Sequence, residues 1–578
     1  MQTFCMEQKG KIPMTPIQTF QRLRPAAQKI ITDYARRRGI APDGLNEFLH
    51  PNWQLERGPL PQIEQFIGRL TSAVNNQEPI LIFGDYDADG ITATAILLRC
   101  LRETVGIEPR WALPNRQHDH YGLDLEKARS LFAQHQPKLL VCLDNGTNSQ
   151  AAIAWLRQQG VETLVVDHHP LEGTSPGATA LVNPKTHGND RDDCCAAGLT
   201  LQVCHQLTQT WQVASKWDRA TAMLLAGLGT VADAVSMTPM NRVIIRETIA
   251  LLNNPCNLEP IPGLKALLSS VVGELNQRRL QFEVIPALNA PGRLGSAEPV
   301  VTLLTTGDPT TTETIAAYCR EQNELRKQIQ REVVRQAKAL ADVVVSDHPD
   351  TPVLVLAAPS WHCGVTGPAA SQVAEAYQRS VILLARHGEK QWKGSGRSAN
   401  AEHLGQWLHT VKQLGLVERG GGHARAVGLA ATDAQIAALQ STGLVLPVPQ
   451  THHEPEAEVI GDLDELRAEE WATVIALLAP FGRGNPFPRI RALSAVCQSD
   501  STALTAKDTG IPWAMRAKFK TTAGKTFTVV WRECAQAQHQ WRAGGWSDLT
   551  LEQTVQTKPE KTFYHWSVIS CRPREPTG

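Results

Sequence analysis

The stretch Ile80-Leu81-Ile82-Phe83-Gly84-Asp85-Tyr86-Asp87-Ala88-Asp89-Gly90 decides the fold. Its first four residues are apolar, enough for a buried parallel strand and too few for a helix. Two further runs have the same form and also end in acid: Leu139 to Leu143 before Asp144-Asn145-Gly146, and Leu164 to Val166 before Asp167-His168-His169. Helical patterns at Ile91 to Leu101 and Ala151 to Gln159 alternate with these strands, which predicts an α/β fold with a doubly wound, mainly parallel sheet. Ligands of such sheets gather at the carboxyl ends of the strands, where all three acidic clusters fall.

Outward from this core, Ala220 to Leu228 reads as a buried helix running into Gly229-Thr230-Val231-Ala232-Asp233, and a mostly helical region continues past Asn289-Ala290-Pro291-Gly292-Arg293. Apolar residues at Ile315, Cys319, Leu325, Ile329, Val333, Ala337 and Leu340 then recur close to helical spacing, predicting one long connecting helix. Strand signals resume at Val353 to Leu356 and Val381 to Leu384, followed by the glycine-rich stretches Gly394 to Ser398 and Gly420 to His423, as expected of a second α/β lobe. The stretch Leu446 to Pro455 marks a boundary. Past it come an acidic helix near Glu465 to Leu478 and alternating segments, Met515 to Phe519 and Thr526 to Trp531, that suggest a small β-barrel. The expected division is an N-terminal extension (1–60), a first α/β domain (61–311), the connecting helix (312–345), a second α/β domain (346–447) and a C-terminal domain (448–578).

Composition narrows the function classes. A chain of 578 residues exceeds one ordinary core and fits three or four domains. Lys plus Arg equals Asp plus Glu at 57 each, so any polyanion site must be a local patch. One such patch is C-terminal: from Ser501 onward 11 Lys and Arg face 6 Asp and Glu, interleaved with Trp513, Phe519, Phe527, Trp531, Phe563 and Tyr564, which suits a single-strand-binding surface. The twelve cysteines form no Cys-x-x-Cys pair and no disulfide ladder, as expected in a reducing cytoplasm. The sequence begins without a secretory pattern, and no stretch reaches the ~18 apolar residues of a membrane span.

Asp85, Asp87 and Asp89 alternate on a turn, where their charges repel unless cations neutralise them; Asp144 and Asp167 add to the crowd. Hydrolysis of a phosphodiester needs activated water, a Lewis acid on the phosphoryl oxygens and a stabilised leaving oxygen, all supplied by two divalent metals roughly 3.5–4 Å apart. Oxygen ligands with a few imidazoles select Mn²⁺ or Mg²⁺. A calcium loop of the EF-hand kind is disfavoured, since its twelfth position would be Ile96 instead of Glu and the preceding segment reads as a strand.

Gly84 to Gly90, Asp144-Asn145-Gly146, Asp167-His168-His169 and Thr230-Val231-Ala232-Asp233 resemble, in order, motifs one to four of the DHH phosphoesterase superfamily. Within it the chain resembles the RecJ-type single-strand-specific exonucleases. The further matching motifs are Leu113-Pro114-Asn115-Arg116 with Tyr121-Gly122-Leu123, Ala290-Pro291-Gly292-Arg293, Gly396-Arg397-Ser398, Gly421-Gly422-His423 and Phe481-Gly482-Arg483-Gly484-Asn485-Pro486, so the resemblance spans roughly Leu45 to Pro488.

The resemblance implies a DHH domain, a long helix, a DHHA1 domain and a C-terminal OB-like barrel. It implies that Asp87, Asp89, Asp144, His168 and Asp233 hold two Mn²⁺ or Mg²⁺ ions, Asp144 bridging, with Asp85 and Asp167 as ligands or supports. His169 would act on the scissile phosphate together with His168 and Asp144. Arg116, Arg293, Arg397, Ser398, Gly421, Gly422 and His423 would grip substrate phosphates. The implied activity is 5′-to-3′ digestion of single-stranded DNA to 5′-mononucleotides in repair and recombination, with a single-strand-binding protein and a helicase as partners. The alternatives are a DHH phosphodiesterase of short oligoribonucleotides or cyclic dinucleotides, and a catalytically inactive replication scaffold. Two departures from the family pattern stand out: the loop Ala234 to Thr238, and Pro368 where an apolar residue is usual.

Overall fold

A computed structural model describes residues 15–51, 60–116, 122–187, 193–399, 403–445, 447–448, 459–505, 512–531, 541–558 and 561–574. Tyr121 and most of the boundary stretch Leu446 to Pro455 lie outside the described residues. Strands β1 (Ile80–Phe83), β2 (Arg110–Ala112), β3 (Leu139–Leu143), β4 (Glu162–Val166) and β5 (Ala180–Val182) pair in parallel in the order β2-β1-β3-β4-β5. Alternate residues enter opposite cores. Ile80, Ile82, Val141 and Val166 pack with the helices Ile63–Asn75, Ala88–Val105 and Ala196–Thr210, whereas Leu81, Phe83, Leu140 and Val165 pack with Leu131, Ile153 and Leu156 on the other face. Burial on both faces is why the strands read as unbroken apolar runs.

The connecting helix runs Pro309–Asp347, 39 residues, longer than its apolar pattern at both ends because Asp308 caps it by accepting the Thr311 N–H. Two cores share it: Ala316 and Cys319 belong to the first lobe, and Val333, Ala337 and Ala341 to the second. Leu325 and Leu340, assigned to the apolar stripe from sequence, stay largely exposed, since the stripe turns from one core to the other between them.

The second sheet has the order β6-β7-β8-β10-β9, with β6 (Val353–Ala358) parallel to β7 (Ser380–His387), and β8 (Gln391–Arg397), β9 (Arg419–Gly422) and β10 (Ala426–Thr432) antiparallel. The glycine-rich stretches are thus strands. A Cβ on Gly394 would lie 2.1 Å from Leu383 O, and one on Gly396 would lie 2.3 Å from Ile382 Cδ1, so close packing selects glycine there. Pro368 falls in the first turn of the helix Thr366–Tyr377, where a missing N–H costs no intrahelical bond.

The C-terminal sheet has seven strands in the order β11-β12-β16-β17-β15-β14-β13, from β11 (Val459–Asp462), β12 (Arg489–Cys497), β13 (Thr502–Thr505), β14 (Pro512–Lys520) and β15 (Thr526–Trp531) to β16 (Trp546–Lys558) and β17 (Lys561–Arg574). A further β12–β14 pairing links both ends of the run β12-β16-β17-β15-β14, giving an OB-like domain. Phe519, Phe527 and Trp531 are buried in its core, which removes them from the single-strand-binding surface suggested by composition; Phe563 and Tyr564 are half-buried.

The N-terminal helices Pro25–Arg36 and Leu45–Leu49 complete that C-terminal core and form no separate unit, with Ala27, Ile31, Tyr34 and Leu49 packing beside Trp471 and Leu478. Arg242 fastens this assembly to the first lobe. Its buried guanidinium donates to the carbonyls of Phe48 (2.9 Å), Leu478 (3.2 Å), Ala479 (3.3 Å) and Pro480 (3.3 Å) and lies 4.3 Å from the Phe48 ring centroid. Burial and the neighbouring Arg246 lower its pKa to about 9, so carbonyl dipoles hold a cation that no carboxylate among the described residues neutralises. Replacing Arg242 by Met leaves four carbonyls without these donors, and we expect a loss of roughly 3 kcal/mol, with earlier proteolytic release of the N-terminal helices. Chemical denaturation and limited proteolysis check this; unchanged stability would remove Arg242 as the fastening point.

Candidate metal centre and substrate groove

The centre forms where β1, β3 and β4 end. After β1 the chain turns so tightly that a Cβ on Gly84 would meet Thr94 Oγ1 at 2.1 Å, and one on Gly90 would meet Asp85 N at 2.5 Å. Asp87 caps the helix Ala88–Val105, accepting from the N–H groups of Asp89 (3.1 Å) and Gly90 (3.4 Å), and Asn289 Oδ1 accepts the Ala88 N–H at 2.8 Å. That cap starts the helix three residues before its apolar pattern. Asp89 is the second residue of that helix, and its carboxylate accepts the N–H groups of Ala196 and Ala197, both at 2.8 Å, at the start of the helix Ala196–Thr210. The positive helix end thereby stabilises a buried anion.

Asp144 follows β3 with φ 63°, a left-handed conformation that turns its side chain towards the others. Asp167 and His168 follow β4, and Asp233 ends the helix Arg219–Ala232. His168 Nε2 lies 3.3 Å from Asp144 Oδ1, 3.7 Å from Asp233 Oδ2 and 3.8 Å from Asp89 Oδ2. Three groups have ligand atoms within 4.8 Å of one another: Asp85 with Asp87 and Asp144; Asp89 with His168 and Asp233; and Asp144 with His168 and His169. Asp144 and His168 each appear in two of the three groups.

Among themselves these carboxylates are electrostatically unfavourable. Burial and the surrounding carboxylates raise the pKa of Asp85 and Asp144 well above the ordinary range, and burial raises Asp89 to about 6 against the pull of its Cys195 and amide hydrogen bonds. Both carboxylate oxygens of Asp85, Asp144 Oδ1 and His168 Nδ1 are buried without a hydrogen-bond partner. Burial and the field of His169 hold His168 neutral, with a pKa of about 3, as a ligand requires. Oxygen-rich groups, orphaned lone pairs and a neutral imidazole fit two hard divalent cations.

Asp167, expected as a ligand or a support, is not in these groups and meets instead its own set of hydrogen bonds. Oδ1 accepts from His168 N (2.7 Å) and His169 N (3.2 Å) and meets His169 Nδ1 at 2.7 Å, while Oδ2 accepts the Thr147 N–H at 3.0 Å. Burial works against a charged His169, but Asp167 outweighs it and lifts the imidazole to about 9. His169 thus keeps its proton near neutral pH while lining a groove of about 970 Å³ between the two lobes.

Arg116, Gly421, Gly422 and His423 also line that groove. Gly422 has φ 142° and would place a Cβ 2.3 Å from Ala426 O, whereas a Cβ on Gly421 would meet nothing within 4 Å. Gly421 is therefore not required by packing within the chain. Arg116 lies over Tyr86, 5.1 Å from the ring centroid. Arg293 Nη1 donates to Gly364 O at 3.3 Å, and Arg397 Nη1 to Gly396 O at 2.8 Å. Desolvation and the fields of Arg116, Arg326 and Arg397 push Arg293 down to about 9. None of these four guanidinium groups makes an ion pair among the described residues.

Three residues escaped the sequence reading. Arg326, on the connecting helix, completes the cationic cluster. Lys393 and Ser395 share one side of β8 with Arg397, and both line the groove. Period-two alternation backward from Arg397 reaches them, once the glycine-rich stretch is read as a strand. Ser398 lies just past the end of β8, where its N–H donates to Arg425 O at 3.1 Å.

The model of the DHH family N-terminal domain matches residues 79–228 and that of the DHHA1 domain matches 350–442. The single-stranded-DNA-specific exonuclease RecJ of Escherichia coli is 31% identical over 394 residues, covering 65% of this chain and 67% of that protein. Its counterpart from Haemophilus influenzae is 29% identical over 460 residues, covering 77% and 79%. RecJ from Thermus thermophilus in complex with Mn²⁺ superposes with a TM-score of 0.77 at 23% identity, covering 98% of this chain and 79% of that one, which establishes the common fold. A manganese-bound exonuclease RecJ gives a TM-score of 0.58 at 27% identity over 68% of this chain and 97% of that one. From the ordered family domains and the identity and coverage of these relatives, the chain belongs to the RecJ family.

Proposed function

We propose that this chain is a divalent-metal-dependent exonuclease that degrades single-stranded DNA from the 5′ end and releases 5′-mononucleotides. The observation that carries this reading is a set of buried carboxylates without hydrogen-bond partners beside a cluster of guanidinium groups, Arg116, Arg293, Arg326 and Arg397, that make no ion pair among the described residues, with Arg116 and His169 lining the groove. A terminal phosphate carries more charge than an internal diester and best satisfies Arg116, Arg293, Arg326 and Arg397 together. A 5′-terminal phosphate held there would leave the first internal diester to the acidic cluster, in keeping with a mononucleotide product.

Asp85, Asp87 and Asp144 would hold one cation and Asp89, His168 and Asp233 the other; bound there, they supply Lewis acidity and a water that is nucleophilic near neutral pH. His169 is held by Asp167 through Nδ1, which leaves Nε2–H to donate to the phosphate as charge develops on the departing 3′ oxygen. The backbone at Gly421 and Gly422 approaches the strand from the second lobe. A groove enclosed by both lobes admits one strand and rejects a duplex. The biological setting we infer is DNA repair and recombination, where a helicase and a single-strand-binding protein present such strands.

Three outcomes follow. Single-stranded DNA labelled at its 5′ end releases label first as a mononucleotide with Mn²⁺, and Asp144→Ala abolishes this; release from the 3′ end first overturns the polarity. Arg293→Gln raises KM for a 5′-phosphorylated oligonucleotide at least tenfold and brings it to that of the 5′-hydroxyl form, checked by steady-state kinetics on both; an unchanged preference would remove Arg293 from the terminal site. The third concerns stability. Asp89 rises from 3.8 to about 6 on folding, so the folded state binds its proton more tightly. Ionisation therefore opposes folding increasingly as pH climbs through that window, fully so above it. Cations cancel this penalty, and Mn²⁺ should raise Tm by more at about pH 7.5 than at about pH 5 in thermal-shift titrations. An equal rise at both would mean that ions bind elsewhere.

A further inference from the structure

Just before the helix Ile285–Leu294, which carries Asn289 and Arg293, the chain forms a short helical piece, Gln277–Arg279, and one wide π-turn, Leu280–Val284. Such turns forgo regular helical hydrogen bonding and recur at functional positions. Leu280 and Val284 enter the first-lobe core, and the turn packs on the helix Arg219–Ala232 that ends at Asp233. Gln277 clasps the C-terminal loop: Nε2 donates to Phe481 O at 2.5 Å, and Oε1 accepts the Phe481 N–H at 2.9 Å. Two residues on, Arg483 O accepts the Met237 N–H at 2.8 Å, in the loop after Asp233. The segment therefore joins the helix bearing the metal-site residue Asp233, the helix bearing Arg293 and the loop leading into the OB-like domain.

Phe282 stands out from this turn with 64% of its surface exposed. Arg278, four residues earlier and on the same side, is also exposed, and no ion pair or hydrogen bond holds it among the described residues. Its neighbour Arg279 is, in contrast, paired with Glu283 through both Nε (2.8 Å) and Nη2 (2.7 Å). The adjoining Gln281 and Glu283 are exposed and polar, so polar side chains flank the ring along the chain. One exposed aromatic ring beside one free guanidinium matches the chemistry of an unpaired nucleotide: a π-face for the base and a cation for the phosphate.

We propose that Phe282 and Arg278 form a contact for the single strand downstream of the cleaved bond, Phe282 stacking on a base and Arg278 pairing with a neighbouring phosphate. This rests on the nuclease reading above. Phe282 precedes Arg293 by eleven residues on one continuous helical rod, roughly 16 Å at the helical rise. At the stacked repeat of about 3.4 Å per nucleotide, a dinucleotide held at the arginine cluster cannot reach it and a longer strand can.

The test is steady-state kinetics of Phe282→Leu, Phe282→Trp and Arg278→Ala on a 20-nucleotide single strand and on a dinucleotide, with Mn²⁺. Phe282→Leu keeps an apolar side chain and removes the π-face. It should raise KM for the long strand by about fivefold to a hundredfold with kcat unchanged, and leave the dinucleotide constants alone. Phe282→Trp should match the wild type, and Arg278→Ala should flatten the salt dependence of KM. An unaltered KM in Phe282→Leu, an equal rise for Phe282→Trp, or the same rise on the dinucleotide would overturn the assignment. A wild-type protein that leaves the long strand intact defeats the nuclease reading itself, and this inference with it.

Discussion

Mutual repulsion among buried carboxylates is the constraint around which the rest of the molecule is arranged. Asp85, Asp89 and Asp144 are nearly inaccessible, and no lysine or arginine among the described residues pairs with them. Water cannot screen such charges, so the fold either protonates them or surrounds them with cations. Several local features make sense only in that light. The start of the helix Ala196–Thr210 is spent on the Asp89 carboxylate, Asp144 adopts a left-handed backbone, and the turn after β1 is tight enough to exclude a side chain at Gly84. Each brings an anion closer to the others, which is the reverse of what stability alone would select and the usual mark of a functional centre.

Opposite charge is concentrated a short distance away, and there too the fold works against itself. Four guanidinium groups come from four separate elements: the loop after β2, the helix Ile285–Leu294, the connecting helix and β8. Their shared field depresses Arg293. On the reading proposed above, a bound phosphodiester strand would neutralise the cationic cluster and cations the acidic one. Both clusters draw mainly on the first lobe and the connecting helix, and the second lobe adds Arg397. The connecting helix keeps these lobes in register because both cores pack against it.

The acidic centre was legible in the sequence because its residues lie within a few positions of apolar strands, so local pattern and chemistry coincide. Asp167 was legible as a site residue but not in its role: whether a carboxylate binds an ion or orients His169 depends on the Thr147 and His169 N–H groups nearby, which spacing does not encode. Lys393 and Ser395 were missed because glycines that pack closely in a strand look, in sequence, like glycines of a loop. The union of the N-terminal helices with the OB-like domain was not readable at all. It depends on contacts more than 400 residues apart, such as Tyr34 Oη with Asn485 Oδ1 at 2.8 Å, and no short-range period carries them. The C-terminal aromatics carried the opposite ambiguity, since core and nucleic-acid surface use the same residue types, and burial decided for the core at Phe519, Phe527 and Trp531.

The central claim, that the buried carboxylates are a two-cation site, is tested most directly by anomalous scattering from crystals grown with Mn²⁺. The account predicts two adjoining peaks, one among Asp85, Asp87 and Asp144 and one among Asp89, His168 and Asp233. A cluster without manganese, with peaks only elsewhere on the protein, would contradict it.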